Sequence, residues 1–171
     1  MPVRAWLQVC VSIYIVSRYI MAFTDSAATP DALLATLADF RFELRRFLHF
    51  SECAATEAGL TPQQHQLLLQ VAGAPPDTQV TIAYAAVRLG LRHNSAVELV
   101  DRSEQEGLLA RKPDPVDRRR VIILLTRKGR QVLQRLSGDH ARELGERAPR
   151  LMLALEQIAN LARSHAHTEA L

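Results

Sequence analysis

Aromatic residues are scarce in this chain, at 5% of its 171 positions, and that scarcity argues against a carbohydrate-binding face or an aromatic cage. Cysteine is scarcer still. Cys10 and Cys53 alone cannot build a disulfide framework, so a reducing compartment is the expectation. The seven glycines are scattered and form no phosphate-cradling loop, and neither a nucleophile elbow nor a plausible catalytic carboxylate pair is present. An enzyme is therefore not expected. No long apolar run is uninterrupted either: in residues 1–23, Gln8, Ser12, Ser17 and Arg18 break a span that a membrane helix would need at roughly 20 residues. Residues 1–29 read as an N-terminal extension, either an extra helix that packs on a partner or residues added by an upstream start with Met21 the natural beginning, the second being the favoured reading.

What is present is an uneven distribution of charge. The net charge is only +3, but residues 79–135 carry 12 Lys and Arg against 6 acids, while the segments on either side are slightly acidic. A basic middle third points to a polyanionic partner.

Apolar residues recur at helical spacing from Leu33 through Leu48, which predicts a helix over about 31–58 with Pro30 at or before its first turn and Gly59 ending it. Thr61 and Pro62 open a second helix, "TIAYAAVRLGL" a third ended by Gly90, and "HNSAVELVDRSEQEG" a fourth with Val97, Val100, Ala96 and Leu99 turned inward. "LLARK" and "VIILLT" are strand-like and are joined by the turn "PDPVD", so they predict a β-hairpin. A helical stretch runs from 127 to the end, and Pro149 is expected to divide it near Ala148. This order is mainly α with a small hairpin wing, a winged helix-turn-helix spanning 59–126. The helices at 30–58 and 127–171 carry surplus apolar surface suited to a second copy of the chain.

A reading helix needs short polar donors at its start and an apolar back. Arg92, His93, Asn94 and Ser95 meet the first need, and Arg102 lies two turns on, within reach of phosphates. In "DPVDRRR" the arginines Arg118 and Arg119 fall at the hairpin tip, where Asp117 would stiffen the loop, and an arginine there suits a narrow minor groove. The bland alternatives are a capped solvated helix and an ordinary charged turn; three consecutive arginines weigh against the latter.

These motifs carry a resemblance. Residues from about 60 to 135 are similar to the multiple antibiotic resistance regulator (MarR) family through "LGL", "LVDR", "EGLLARK", "DPVDRRR" and "LTRKGRQVL". The resemblance implies a cytoplasmic homodimeric transcriptional regulator on a pseudo-palindromic duplex DNA operator, with Arg119 entering a minor groove and the helix from His93 a major groove. It further implies release by a small phenolic or other aromatic effector. Against the family pattern, Arg92 stands where a Ser or Thr cap is common, Glu98 where a basic or polar residue is, and Ser103 where a core Leu is.

Two further groups stand out. His49, Glu52 and Cys53 share one helical face and could form a metal platform joined by His65, or place Cys53 as a redox-sensing thiol; chance spacing and an inert cysteine are the competing explanations. No cofactor is expected. Phe47, Phe50 and His65 fall where the helical arms should meet the winged domain, as pocket candidates or as plain core. His165 and His167 read as a frayed tail. A rival to the regulator is a winged-helix protein-interaction module with no specific operator.

Overall fold

The computed structural model describes residues 30–115, 117 and 120–168. Along them run α1 (Pro30–Glu57), α2 (Pro62–Ala72), α3 (Ile82–Leu89), α4 (His93–Gln105), the hairpin strands β1 (Leu109–Pro113) and β2 (Val121–Leu125), and α5 (Arg127–Thr168).

Local chemistry sets most of these boundaries. α1 breaks at Gly59, whose φ of 78° is open to glycine at no steric cost. α2 opens with a reciprocal cap: the Thr61 hydroxyl accepts the Gln64 N–H at 3.2 Å, and the Gln64 side-chain oxygen accepts the Thr61 N–H at 2.9 Å. At α3 the Thr81 hydroxyl accepts from the Tyr84 N–H, and the helix stops at Gly90 in the left-handed region. The turn into α4 is therefore only a few residues long.

The chain forms two compact units. One is Glu43–Pro149; the other comprises residues 30–42 and 150–168. In the first, Leu67 and Leu68 of α2, Leu99 and Val100 of α4, Leu108 just before β1 and Ile123 of β2 are almost wholly buried in one core. The hairpin is antiparallel, in register from Leu109 opposite Leu125 to Pro113 opposite Val121. It gains a third short partner from the segment before α3, where the Ile123 N–H donates to the Val80 carbonyl at 2.7 Å. Gly129 explains the glycine of "LTRKGRQVL": a Cβ there would lie 2.2 Å from the Leu108 carbonyl oxygen, so α5 can start against the hairpin only without a side chain at that position. Farther along α5, Arg147 reaches the buried Glu43 of α1 at 2.9 Å and also binds Glu143. In the second unit the Thr36 hydroxyl lies 3.5 Å from the Gln157 side-chain oxygen, and Leu34, Phe42, Met152 and Leu155 are each more than half exposed.

Two expectations are corrected. α5 is one helix from Arg127 to Thr168 and carries Pro149 inside it, with no division near Ala148. Proline at 149 removes a single donor, the one aimed at the Gly145 carbonyl. Ending the helix there would instead create two new termini, each with several unsatisfied backbone groups, in a sequence rich in strong helix formers on both sides. In α4, Val97 is only partly buried; the inward face is Ala96, Leu99, Val100 and Ser103. Among the described residues no helix is long and apolar enough to cross a membrane.

Candidate nucleic-acid interface

α4 presents its polar end outward. Arg92, His93, Asn94 and Ser95 are all exposed, as are Glu98 and Arg102 one and two turns farther on. Asn94, Glu98 and Arg102 are spaced by four, so the carboxylate at 98 shares a face with the candidate base- and phosphate-contacting groups. Arg92 occupies the N-cap position in extended conformation and makes no side-chain cap bond, which leaves the first N–H groups of α4 without the partner that Ser or Thr would supply. Ser103, at a position suited to leucine, is fully buried and satisfied: its hydroxyl donates to the Leu99 carbonyl at 2.8 Å, so the core accepts it at the expense of apolar volume rather than of an unpaired polar atom.

The hairpin is locked to the back of α4 by one arginine that sequence reasoning did not single out. Arg111 of β1 donates to Glu104 at 2.5 Å and also binds Asp101, while its backbone N–H donates to the other oxygen of Glu104 at 3.1 Å. Partial burial alone would lower its pKa; the hydrogen bonds to the two carboxylates outweigh that and raise it. Arg111 thus stays charged and fixes the angle between wing and helix. A forked donor matched to carboxylates at i and i+3 of α4 is the signal in the sequence that could have revealed it.

At the wing tip the anchor is Asp114, whose carboxylate is 1% exposed. It accepts the Asp117 N–H at 3.4 Å and the Gln79 side-chain amide at 3.5 Å, and the Arg120 guanidinium lies 3.8 Å away. The backbone closes the turn: Asp114 N–H donates to the Arg120 carbonyl, and Arg120 N–H to that of Asp117. Asp117, the expected stiffener, contributes its backbone N–H and carbonyl to this turn. Arg118 and Arg119 lie outside the described residues.

The pocket candidates meet around a residue the sequence reading passed over. Phe47, Phe50 and His65 all contact the imidazole of His140, with ring centroids 6.1, 5.5 and 4.8 Å away respectively. His140 Nδ1 lies 2.7 Å from the Leu136 carbonyl and must donate to it; in the neutral ring Nε2 then accepts from the Ser51 hydroxyl at 2.8 Å. Burial, then the nearby His140, lowers the His65 pKa to about 4. His140 lacked any local sequence motif, since its partners come from α1 and α2. Of the weak metal candidates, His49 and Cys53 are neighbours at 3.8 Å on an exposed face, whereas His65 is buried against His140 and does not join them. Among the described residues no three His, Cys, Asp or Glu side chains are placed to hold a metal ion.

Comparison with known proteins agrees with this geometry. A model of the MarR family matches residues 58–120. The chain is 33% identical over 100 residues, 56% of its length, to a protein of Thauera aromatica named for transcriptional regulation of the hcr operon. It is 31% identical over 116 residues, 67% of its length, to the transcriptional activatory protein BadR of Rhodopseudomonas palustris. These matches span 58% and 66% of the two relatives, less than two thirds of either. Among solved structures, the transcriptional repressor CouR bound to a 23-mer DNA duplex superposes with a TM-score of 0.55 at 26% identity, covering 75% of this chain and 88% of that one. The family model thus places residues 58–120, the winged helix-turn-helix of this chain, in the MarR family.

Proposed function

We propose that this chain is a cytoplasmic, homodimeric regulator that binds a pseudo-palindromic DNA operator and represses transcription until a small-molecule effector releases it. The observation that carries the reading is α4: an exposed, uncapped polar N-terminus backed by a buried apolar face and braced to the wing through Arg111. Arg92, His93, Asn94 and Ser95 meet base edges in the major groove, Arg102 meets phosphate, and Arg118 and Arg119 at the wing tip reach the adjacent minor groove. α1 and α5 join two copies. An effector that binds better to a dimer with misplaced recognition helices shifts the population toward that state and lowers operator occupancy by its differential affinity. The likeness to a DNA-bound repressor at 26% identity supports this reading, and BadR's name as an activatory protein shows that a relative puts its regulation to the opposite sign.

Fluorescence anisotropy on the DNA upstream of the chain's own gene, against a scrambled duplex at fixed salt, tests it. A preference of roughly 10³-fold or more is expected, with Arg119→Ala weakening binding while the dimer persists. Equal, salt-sensitive binding to every duplex tried would favour a protein-interaction module instead.

A further inference from the structure

Three carboxylates lie on α4, and two of them are already paired. Asp101 and Glu104 are both bound by Arg111 of the hairpin, which offsets their charge. The third, Glu98, is exposed and makes no hydrogen bond or ion pair among the described residues. Arg102, four residues on, has the spacing of a helical ion-pair partner, yet no ion pair joins the two. Glu98 points away from the buried stripe of Ala96, Leu99, Val100 and Ser103, on the face it shares with Asn94 and Arg102.

A negative charge in the middle of a face that meets a polyanion is unfavourable, because it repels the phosphates and loses hydration on docking. It is tolerated where it gains a donor in exchange. In the major groove guanine and thymine offer the acceptors N7, O6 and O4, which would repel a carboxylate. Adenine offers its N6 amino group, but with the acceptor N7 beside it. Cytosine alone presents an amino group, N4, with no acceptor on the same base in that groove. Asn94, one turn earlier, has a different preference: its amide both donates and accepts, and so fits N7 and N6 of adenine together.

We propose that Glu98 is a specificity-determining residue whose carboxylate accepts a hydrogen bond from cytosine N4, so that each half of the operator carries a C·G pair at that position. This rests on the reading of α4 as the recognition helix. Residues four apart are separated by about 6 Å along the helix, so the C·G pair falls within roughly two or three base steps of the pair that meets Asn94.

Selection from a pool of random duplexes by the full chain, at fixed near-physiological salt, tests the assignment. The wild type should enrich a two-fold symmetric site with a fixed C·G pair in each half. Glu98→Gln, which installs the amide that pairs with adenine, should convert that pair to A·T and leave the other positions unchanged. Glu98→Ala should lose the preference there, with discrimination against the other pairs falling roughly tenfold or more. A consensus identical for all three proteins would overturn the assignment while leaving the regulator standing. So would a responsive position that is not C·G in the wild type, or a Glu98→Ala chain that binds every duplex more tightly by one common factor. Enrichment of no consensus by the wild type would remove the regulator reading and, with it, the role of Glu98.

Discussion

At His65 a single imidazole links packing to pH. Its pKa falls from 6.5 to about 4, chiefly through burial and secondly through His140. Above pH 6.5 the ring is neutral in folded and unfolded chains alike, and its contribution to stability is fully present. As the pH drops, the unfolded chain takes up a proton that the folded chain refuses, so stability declines from about pH 6.5 and continues to fall toward pH 4. From this residue alone the loss by pH 5 is about 2 kcal/mol. Urea denaturation of the wild type and His65→Leu at pH 7.5 and pH 5 measures it: the wild type should lose that increment and the variant should not. A wild-type stability flat across the interval would mean that the ring is not desolvated. Arg111 and Asp114 make a second point at this scale. Each is a charged residue whose meaning comes from a partner brought near by the hairpin, Asp101 and Glu104 for the arginine, Gln79 for the aspartate.

Among the elements, α5 departs most from expectation. Proline is a strong local signal because it lacks a donor and its ring crowds the preceding turn, yet over 42 residues one missing bond is outweighed by the bonds kept on both sides. Pro149→Ala is expected to restore the donor to the Gly145 carbonyl and to stabilise the chain by about 1–3 kcal/mol, seen as a higher urea midpoint with helicity slightly raised or equal. A lower midpoint would show that the ring of Pro149 makes contacts worth more than the bond it forfeits. The helix boundaries were better signposted: Thr61 and Thr81 start α2 and α3 through cap bonds spanning three residues, and Gly59 and Gly90 end α1 and α3 at a positive φ. The strands were legible for a related reason, since a turn dense in Pro and Asp between two apolar runs leaves few alternatives to a hairpin.

For the molecule as a whole, the unit made of residues 30–42 and 150–168 leaves Leu34, Phe42, Met152 and Leu155 more than half exposed. That much apolar side chain on so small a unit calls for a partner, and a second copy is the proposed one. Sedimentation of Leu34→Asp/Met152→Asp should show dimer association weakened roughly tenfold or more, since burying each such side chain is worth about 1.5–3 kcal/mol. Far-ultraviolet circular dichroism of the same variant should remain largely helical because the core of Glu43–Pro149 is untouched. An unaltered dimer would remove these helices from the interface.

The sequence by itself determined the order of helices and strands, the caps that start them, the hairpin and the polar end of α4, because each depends on residues a few positions apart: a hydroxyl and an amide three residues on, a glycine at positive φ, an apolar repeat of 3.6. Tertiary structure alone decided that Gly129 must be glycine, that Arg111 braces the wing, that Asp114 is buried at its tip and that His140 gathers Phe47, Phe50 and His65 around Ser51. It also separated His65 from the His49 and Cys53 face. In every one of these cases the deciding partner lies on another element, and burial, which sets both the strength of an ion pair and the protonation of an imidazole, exists only once those elements have packed.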